Sequence, residues 1–184
     1  MKNQGNGQAK VLNPSEISRL FEELNKKPRD ACLFAICYFT ACRISEARQL
    51  LTTDIKEDCI IFRKAITKGK LKTRTIGINP ALRRYLNNYQ PAKPGAFFPG
   101  RHGISEFISR NTADRILRSA CKTVGIEGCS THSLRRSALT NMYRAKYPLR
   151  TIQKISGHSD LGTLQLYLEV SDDDMKDAVN SLSF

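Results

Sequence analysis

A handful of polar side chains in this 184-residue sequence have the types and spacings that chemistry on an anion would use. His132 and Arg135, in His132-Ser133-Leu134-Arg135, are three positions apart, so on a helix they face one spot while Leu134 anchors the opposite side. His158 falls in Ser156-Gly157-His158-Ser159-Asp160, where Gly157 can end a helix in a left-handed cap and leave the histidine at a junction. Tyr167 follows nine residues later, between Leu164 and Leu168, which can pack while the tyrosine projects differently. Arg43 enters Ile44-Ser45-Glu46 directly after an apolar stretch, where a guanidinium must reach solvent or meet an anion because burying it alone is too costly. Lys68 lies in the polar run Thr67-Lys68-Gly69-Lys70-Leu71-Lys72. Taken singly, each has an ordinary explanation: a solvated basic helix face, a histidine on backbone carbonyls, a tyrosine at the rim of a core, a surface lysine.

The elements that must position these residues are mostly helical. Asn13-Pro14-Ser15-Glu16 combines a capping Asn, a Pro at the first helical position and a Glu at the third, ahead of Ile17, Leu20, Phe21 and Leu24. A second helix, apolar nearly all round and so buried, spans about 29–40, and a short third covers 44–51. From residue 58 the period changes: Cys59-Ile60-Ile61-Phe62 and Thr73-Arg74-Thr75-Ile76-Gly77-Ile78 read as strands of an antiparallel ribbon with Lys68 in its basic turn. Asn79-Pro80 opens a helix to about Tyr89, and 91–103 reads as a loop dense in Pro and Gly. Asn111 is expected to cap a helix to about Val124, and Ser130 or Thr131 one to about Ala145. Shorter helices follow at 149–156, 161–169 and 172–182. The expected fold class is α+β, mainly helical, with orthogonal helices and a small antiparallel β-ribbon or three-stranded sheet near the start.

Composition sets the partner class. Lys and Arg number 30 against 17 Asp and Glu, a net charge of +13 that points to a polyanion. Residues 1–170 hold 29 basic against 13 acidic residues, or +16, and the acid gathers in a tail at 171–184. Residues 1–12 are polar and aperiodic and read as a flexible tail or linker stump, leaving one domain at 13–184. No apolar run approaches the roughly 18 residues of a bilayer span, and the start lacks a secretory signal, so the expected location is cytoplasmic. The six cysteines form no C-x-x-C pair, and His102, His132 and His158 show no zinc spacing beside them. They read as reduced thiols, with no metal and no cofactor expected.

In order and spacing, Arg43 with Ile44-Ser45-Glu46, Lys68 in a β-turn 25 residues on, His132-x-x-Arg135, Gly157-His158, and Tyr167 resemble the active-site signature of the tyrosine recombinase (phage integrase) family. The resemblance runs from residue 13 to 170. It implies that Arg43 and Arg135 hold a phosphate, Lys68 is the general acid, His132 and His158 assist, and Tyr167 is the nucleophile. DNA strands would be cut and rejoined through a 3′-phosphotyrosine without ATP or metal. The implied partners are double-stranded DNA and further copies of the chain, with a monomer when free and a tetramer on DNA. The acidic segment 171–184 would be the family's docking tail. Two other readings stay open: relaxation of DNA in the manner of a type IB topoisomerase, and a catalytically silent DNA-binding module of the same fold, which would explain the charge equally well. The sequence departs from the family pattern at Ala41-Cys42, where a Gly is usual, at Ser156 in place of Leu, and at Leu168-Glu169 after the tyrosine; these are expected to affect local packing rather than chemistry. The helical DNA-clamping domain that usually precedes the catalytic one is expected to be missing.

Overall fold

The computed structural model describes residues 9–67, 69, 72–166, 168 and 172–182. Lys68 and Tyr167 lie outside the described residues. Helices α1 (Pro14–Leu24) and α2 (Pro28–Phe39) are followed by the short α3 (Ile44–Ala47), the strands β1 (Cys59–Phe62) and β2 (Arg74–Gly77), and α4 (Pro80–Asn88). Strands β3 (Pro99–Gly100) and β4 (Gly103–Phe107) precede α5 (Arg110–Thr123), α6 (Thr131–Arg144), α7 (Leu149–Ser156), α8 (Leu161–Gln165) and α9 (Asp172–Asn180). The chain is a mainly helical α+β domain, as its periodicity predicts.

Local rules account for most boundaries. Asn13 caps α1 by accepting the Glu16 N–H at 2.8 Å, and Glu16 returns the bond to the Asn13 N–H at 3.1 Å. Strands β1 and β2 pair antiparallel with Cys59 opposite Gly77 and Phe62 opposite Arg74. Their alternation buries Ile60 and Phe62 while Cys59 and Ile61 stay half-buried. α2 is buried from Asp30 to Cys37 and forms the centre against which α4 and α6 pack. Its all-round apolar character has no other stable placement.

Three sequence expectations are corrected. The stretch 91–103 is not wholly loop, because Pro99–Gly100 pairs antiparallel with Gly103–Phe107, giving a second two-stranded sheet instead of a third strand on the first. The turn-rich composition hid a strand of two residues. α5 begins earlier than Asn111: Ser109 accepts the Thr112 N–H at 3.0 Å and takes the cap, the first acceptor in Ser-Arg-Asn-Thr to fit. Residues 9–12 do not behave as a tail. Leu12 is in the core, its N–H donates to Ser137 Oγ at 2.8 Å, and the Ala9 carbonyl accepts from Arg136, so this stretch is laced to α6.

The core has two parts. The larger gathers α1, α2, α4 and α5 around residues such as Phe34, Phe62, Phe98 and Leu117. The smaller holds Ala41, Ala138, Leu139, Ile152 and Leu164, where α7 and α8 pack on the far half of α6. α6 spans both, with Leu134 in the first and Leu139 in the second. Arg135 therefore emerges at the seam. All six cysteines are free thiols, four of them buried, and burial pushes the Cys32 thiol well up.

Candidate active site

Three helix boundaries converge on the seam. At α3, Arg43 is the cap residue and Glu46 the third helical residue, which lets the Glu46 carboxylate accept the Arg43 N–H at 2.9 Å and Arg43 Nη1 at 3.3 Å. Glu46 is fully buried and accepts Arg74 Nη2 from β2 at 3.0 Å as well. Burial acts to raise its pKa, but the charges of Arg74 and Arg43 and the Arg43 N–H outweigh it and hold the carboxyl below the usual range. The Arg74 guanidinium lies 4.8 Å from the centroid of the Phe62 ring, its cross-strand partner.

At the start of α6, Ser130 caps the helix by accepting the His132 N–H at 3.3 Å, and Ser133 Oγ accepts the Ser130 N–H at 3.0 Å. His132 and Arg135 share the face expected of them. Arg135 is 1% exposed, a burial that a guanidinium tolerates only when enclosed by acceptors. Its Nη1 donates to the Ala41 carbonyl and to the Ser156 carbonyl at 3.0 Å, and its Nη2 lies 2.9 Å from His158 Nε2. Burial first, and then the charge of Arg43, lower its pKa to about 10, so it remains a cation at neutral pH. Ala41 takes φ 49°, which aims its carbonyl at Arg135 and explains why a glycine would be at ease there.

At the α7–α8 junction, Gly157 has φ 71° and its N–H donates to the Gln153 carbonyl at 2.8 Å. A Cβ on Gly157 would stand 2.2 Å from Arg74 Nη1, so glycine answers both the turn and the approach of the guanidinium. Asp160 then caps α8 through the Gly162 and Thr163 N–H groups at 2.9 and 2.7 Å. Between these two caps His158 is nearly buried, with Nδ1 2.8 Å from Ser156 Oγ. Burial, followed by the charges of Arg135, Arg43 and Arg74, lowers its pKa to about 3. Half-buried His132 is lowered as well, by burial and by Arg110, Arg135 and Arg43. Both imidazoles are neutral at pH 7.

The structure thus brings together Arg43, His132, Arg135 and His158. Sequence reasoning missed Arg74, Glu46 and Ser156 as members. Alternation was the available signal for Arg74: it shares a strand face with Ile76, not with the outward Thr75. Glu46 was visible as the third residue after Arg43, the spacing of a capping carboxylate. Among the described residues, three guanidinium groups gather about one buried carboxylate while two histidines stay uncharged, so the cluster carries net positive charge. Such a cluster is built for an anion with several oxygens. Among the described residues no group of three or more His, Cys, Asp or Glu is placed to hold a metal, and no helix is long and apolar enough to cross a membrane.

A helical α+β domain with a buried arginine–histidine cluster at a seam of its core is the class that fold and site define. The sequence model of the phage integrase family matches residues 10–174, and the chain belongs to that family. A tyrosine recombinase of Pseudothermotoga lettingae is 31% identical over 172 residues, covering 93% of this chain and 60% of the relative. The chain thus spans about 60% of the length of that curated relative. The crystal structure of XerA recombinase superposes with a TM-score of 0.82 at 21% identity, covering 100% of this chain and 68% of that one. A pre-cleavage complex of the XerH site-specific recombinase bound to its difH substrate gives 0.73 at 22% identity, over 93% and 54% of the two chains. These two likenesses establish the fold.

Proposed function

We propose that this domain catalyses site-specific breaking and rejoining of DNA strands through a covalent 3′-phosphotyrosine. The observation that carries the reading is the gathering of Arg43 and Arg135 with neutral His132 and His158 at one seam, in a family whose relatives include tyrosine recombinases. A phosphodiester under attack gains negative charge on its non-bridging oxygens, and preorganised cations lower that barrier by several kcal/mol. Arg43 and Arg135 supply planar forks for those oxygens. Glu46 holds Arg43 in place by binding both its backbone and its side chain, and Arg74 in turn binds Glu46.

Tyr167 is the proposed nucleophile and Lys68 the proposed general acid, both assigned from the sequence motif. The Tyr167 oxygen bonds to phosphorus as the bond to the 5′-oxygen breaks. The phenol proton passes to His132, which is neutral and so able to accept it. Lys68 protonates the departing 5′-oxygen, giving a free 5′-hydroxyl. Attack by a 5′-hydroxyl of a partner strand reverses these steps and releases Tyr167. The arginines supply the electrophilic charge, so the reaction proceeds without a metal. On DNA, four copies exchange strands, with α9 docking on a neighbour: Met175 and Val179 on it, and Leu182 just beyond its end, are exposed.

The test is a trapping assay with a pool of nicked duplexes of randomised sequence, from which a cleaved fragment diffuses away and prevents rejoining. The proposal expects a covalent protein–DNA band that persists in EDTA. A silent binding module gives retarded DNA on native gels and no covalent band, which would overturn the catalytic reading.

A further inference from the structure

Arg74 is tied to the site through Glu46, and that ion pair occupies only one nitrogen of its guanidinium. Nη2 donates to Glu46 Oε2 at 3.0 Å, which is the side chain's one hydrogen bond among the described residues. Nε is buried with no acceptor among them, and the Phe62 ring, its centroid 4.8 Å from the guanidinium carbon, offers a π face instead of a lone pair. Nη1 runs beside Gly157, so close that a Cβ there would clash with it. Gly157 is exposed and directly precedes His158, which puts Nη1 at the open edge of the seam.

The charges around Glu46 do not balance. Its one carboxylate accepts from Arg43 Nη1 on Oε1 and from Arg74 Nη2 on Oε2, so two cations share a single negative charge. A guanidinium whose side chain is only 10% exposed is costly to leave half-served, and Arg135 shows the usual remedy by donating to two carbonyls. Arg74 has no such acceptors among the described residues. Arg43 and Arg74 thus lie side by side on one carboxylate, and after burial, Arg135 and Arg43 the charge of Arg74 is among the causes that lower the His158 pKa. An anion with several oxygens, bound at the same seam, meets the demand of the unused donors.

We propose that Arg74 is a third phosphate-binding arginine of the site: Glu46 holds Nη2, and Nη1 donates to a non-bridging oxygen of the DNA backbone, at the cleaved phosphate or at its immediate neighbour. Glu46 then does for Arg74 what it does for Arg43, fixing the plane of the fork so that the outer nitrogen points at the anion. Arg74 opens β2, six residues after Lys68. The contact therefore also seats on the backbone the ribbon that carries the proposed general acid. Which phosphate is bound rests on the proposed strand cleavage; that Arg74 binds a DNA phosphate does not.

The first measurement needs no cleavage: binding of unnicked duplexes of randomised sequence is titrated against salt for the wild type, Arg74→Lys, Arg74→Met and Arg63→Met. Arg74→Lys keeps the charge and a partner for Glu46, and so the fold, but has no second nitrogen to extend. Arg63, bonded to Asp54 and to the Gln49 carbonyl at 2.8 Å each, controls for the loss of a structural cation. The slope of log K against log salt should become shallower by about 1 in both Arg74 variants and keep its wild-type value in Arg63→Met. Wild-type slopes in the Arg74 variants overturn the proposal. The second measurement takes a sequence trapped from the nicked-duplex pool and places one methylphosphonate, in which a methyl replaces a charged oxygen, at the cleaved phosphate or at either neighbour. At the phosphate that Arg74 holds, the change in trapping rate caused by the methylphosphonate should be about 10-fold smaller in Arg74→Lys than in the wild type, and at the other two positions the same in both. Equal changes at all three positions overturn the phosphate contact and leave Arg74 a brace for Glu46. No covalent band from the wild type overturns the catalytic reading, while the salt slopes still decide whether Arg74 binds phosphate.

Discussion

At the scale of single residues, the site depends on the shape of its cations as much as on their charge. Lysine at position 43 or 135 keeps the charge but loses the fork, and with it the carbonyl contacts at Ala41 and Ser156 or the Nη1 contact to Glu46. Arg43→Lys and Arg135→Lys should each lower covalent-complex formation by on the order of 10²-fold while DNA retention changes far less. Near wild-type trapping rates for both would remove the arginines from the chemistry. The histidines give a second test. His132 has its pKa lowered from 6.5, first by burial and then by Arg110, Arg135 and Arg43. A base works in its neutral form, above its pKa, so a lowered value carries activity to lower pH. At sub-saturating DNA, where the rate reports the DNA-free protein, the acid limb of the cleavage profile should have its midpoint below 6.5, and His132→Ala should abolish that limb. A limb centred above 6.5 would mean that another group limits the acid side.

At the scale of elements, the end of α6 carries a strain that is easily relieved. Lys146 takes φ 62° and is exposed, its N–H donates to the Tyr143 carbonyl and the Tyr147 N–H to the Met142 carbonyl, which is a Schellman ending with a lysine where glycine fits. Lys146→Gly should stabilise the fold by about 0.5–1 kcal/mol, the left-handed strain outweighing the added freedom of the unfolded chain. A rise in Tm of about 1–4 °C in a thermal melt checks this; a fall would show that the lysine side chain stabilises the turn. Elements with strong local signals were legible in advance. Asn13-Pro14 and Asn79-Pro80 declared their helices, and the cap of α6 was narrowed to Ser130 or Thr131, of which the fold uses Ser130. The positions of His132 and Arg135 on α6 followed from spacing alone. What stayed hidden depends on distant partners: β3 is too short to carry a period, and Ser109 won its cap over Asn111 by geometry. Arg74 and Ser156 gain their meaning only when β2 and α7 are folded against α3 and α6. A single sequence shows residue types that could do chemistry, but not which backbone carbonyl or ring nitrogen a buried guanidinium will meet.

At the scale of the whole molecule, charge and shape divide the work. The basic body attracts a polyanion through counterion release, so binding should weaken steeply with salt. The acidic α9 presents Met175 and Val179 to solvent, and Leu182 is exposed just beyond its end. Deleting 171–184 should strengthen non-specific DNA binding in low salt, since it removes net negative charge, and should abolish higher-order complexes on DNA. Weaker filter binding by the shortened protein would show that the segment supports the fold instead of docking elsewhere. The central claim is that one tyrosine carries the strand between breaking and rejoining. Its most direct measurement is to trap the protein on the nicked-duplex pool, digest the adduct and locate the nucleotide-bearing peptide by mass spectrometry. The account predicts a single phosphotyrosine at Tyr167 and no adduct from Tyr167→Phe, which should still bind DNA. An adduct on Tyr143, Tyr147 or any other side chain, or cleavage by the Phe variant, would contradict it.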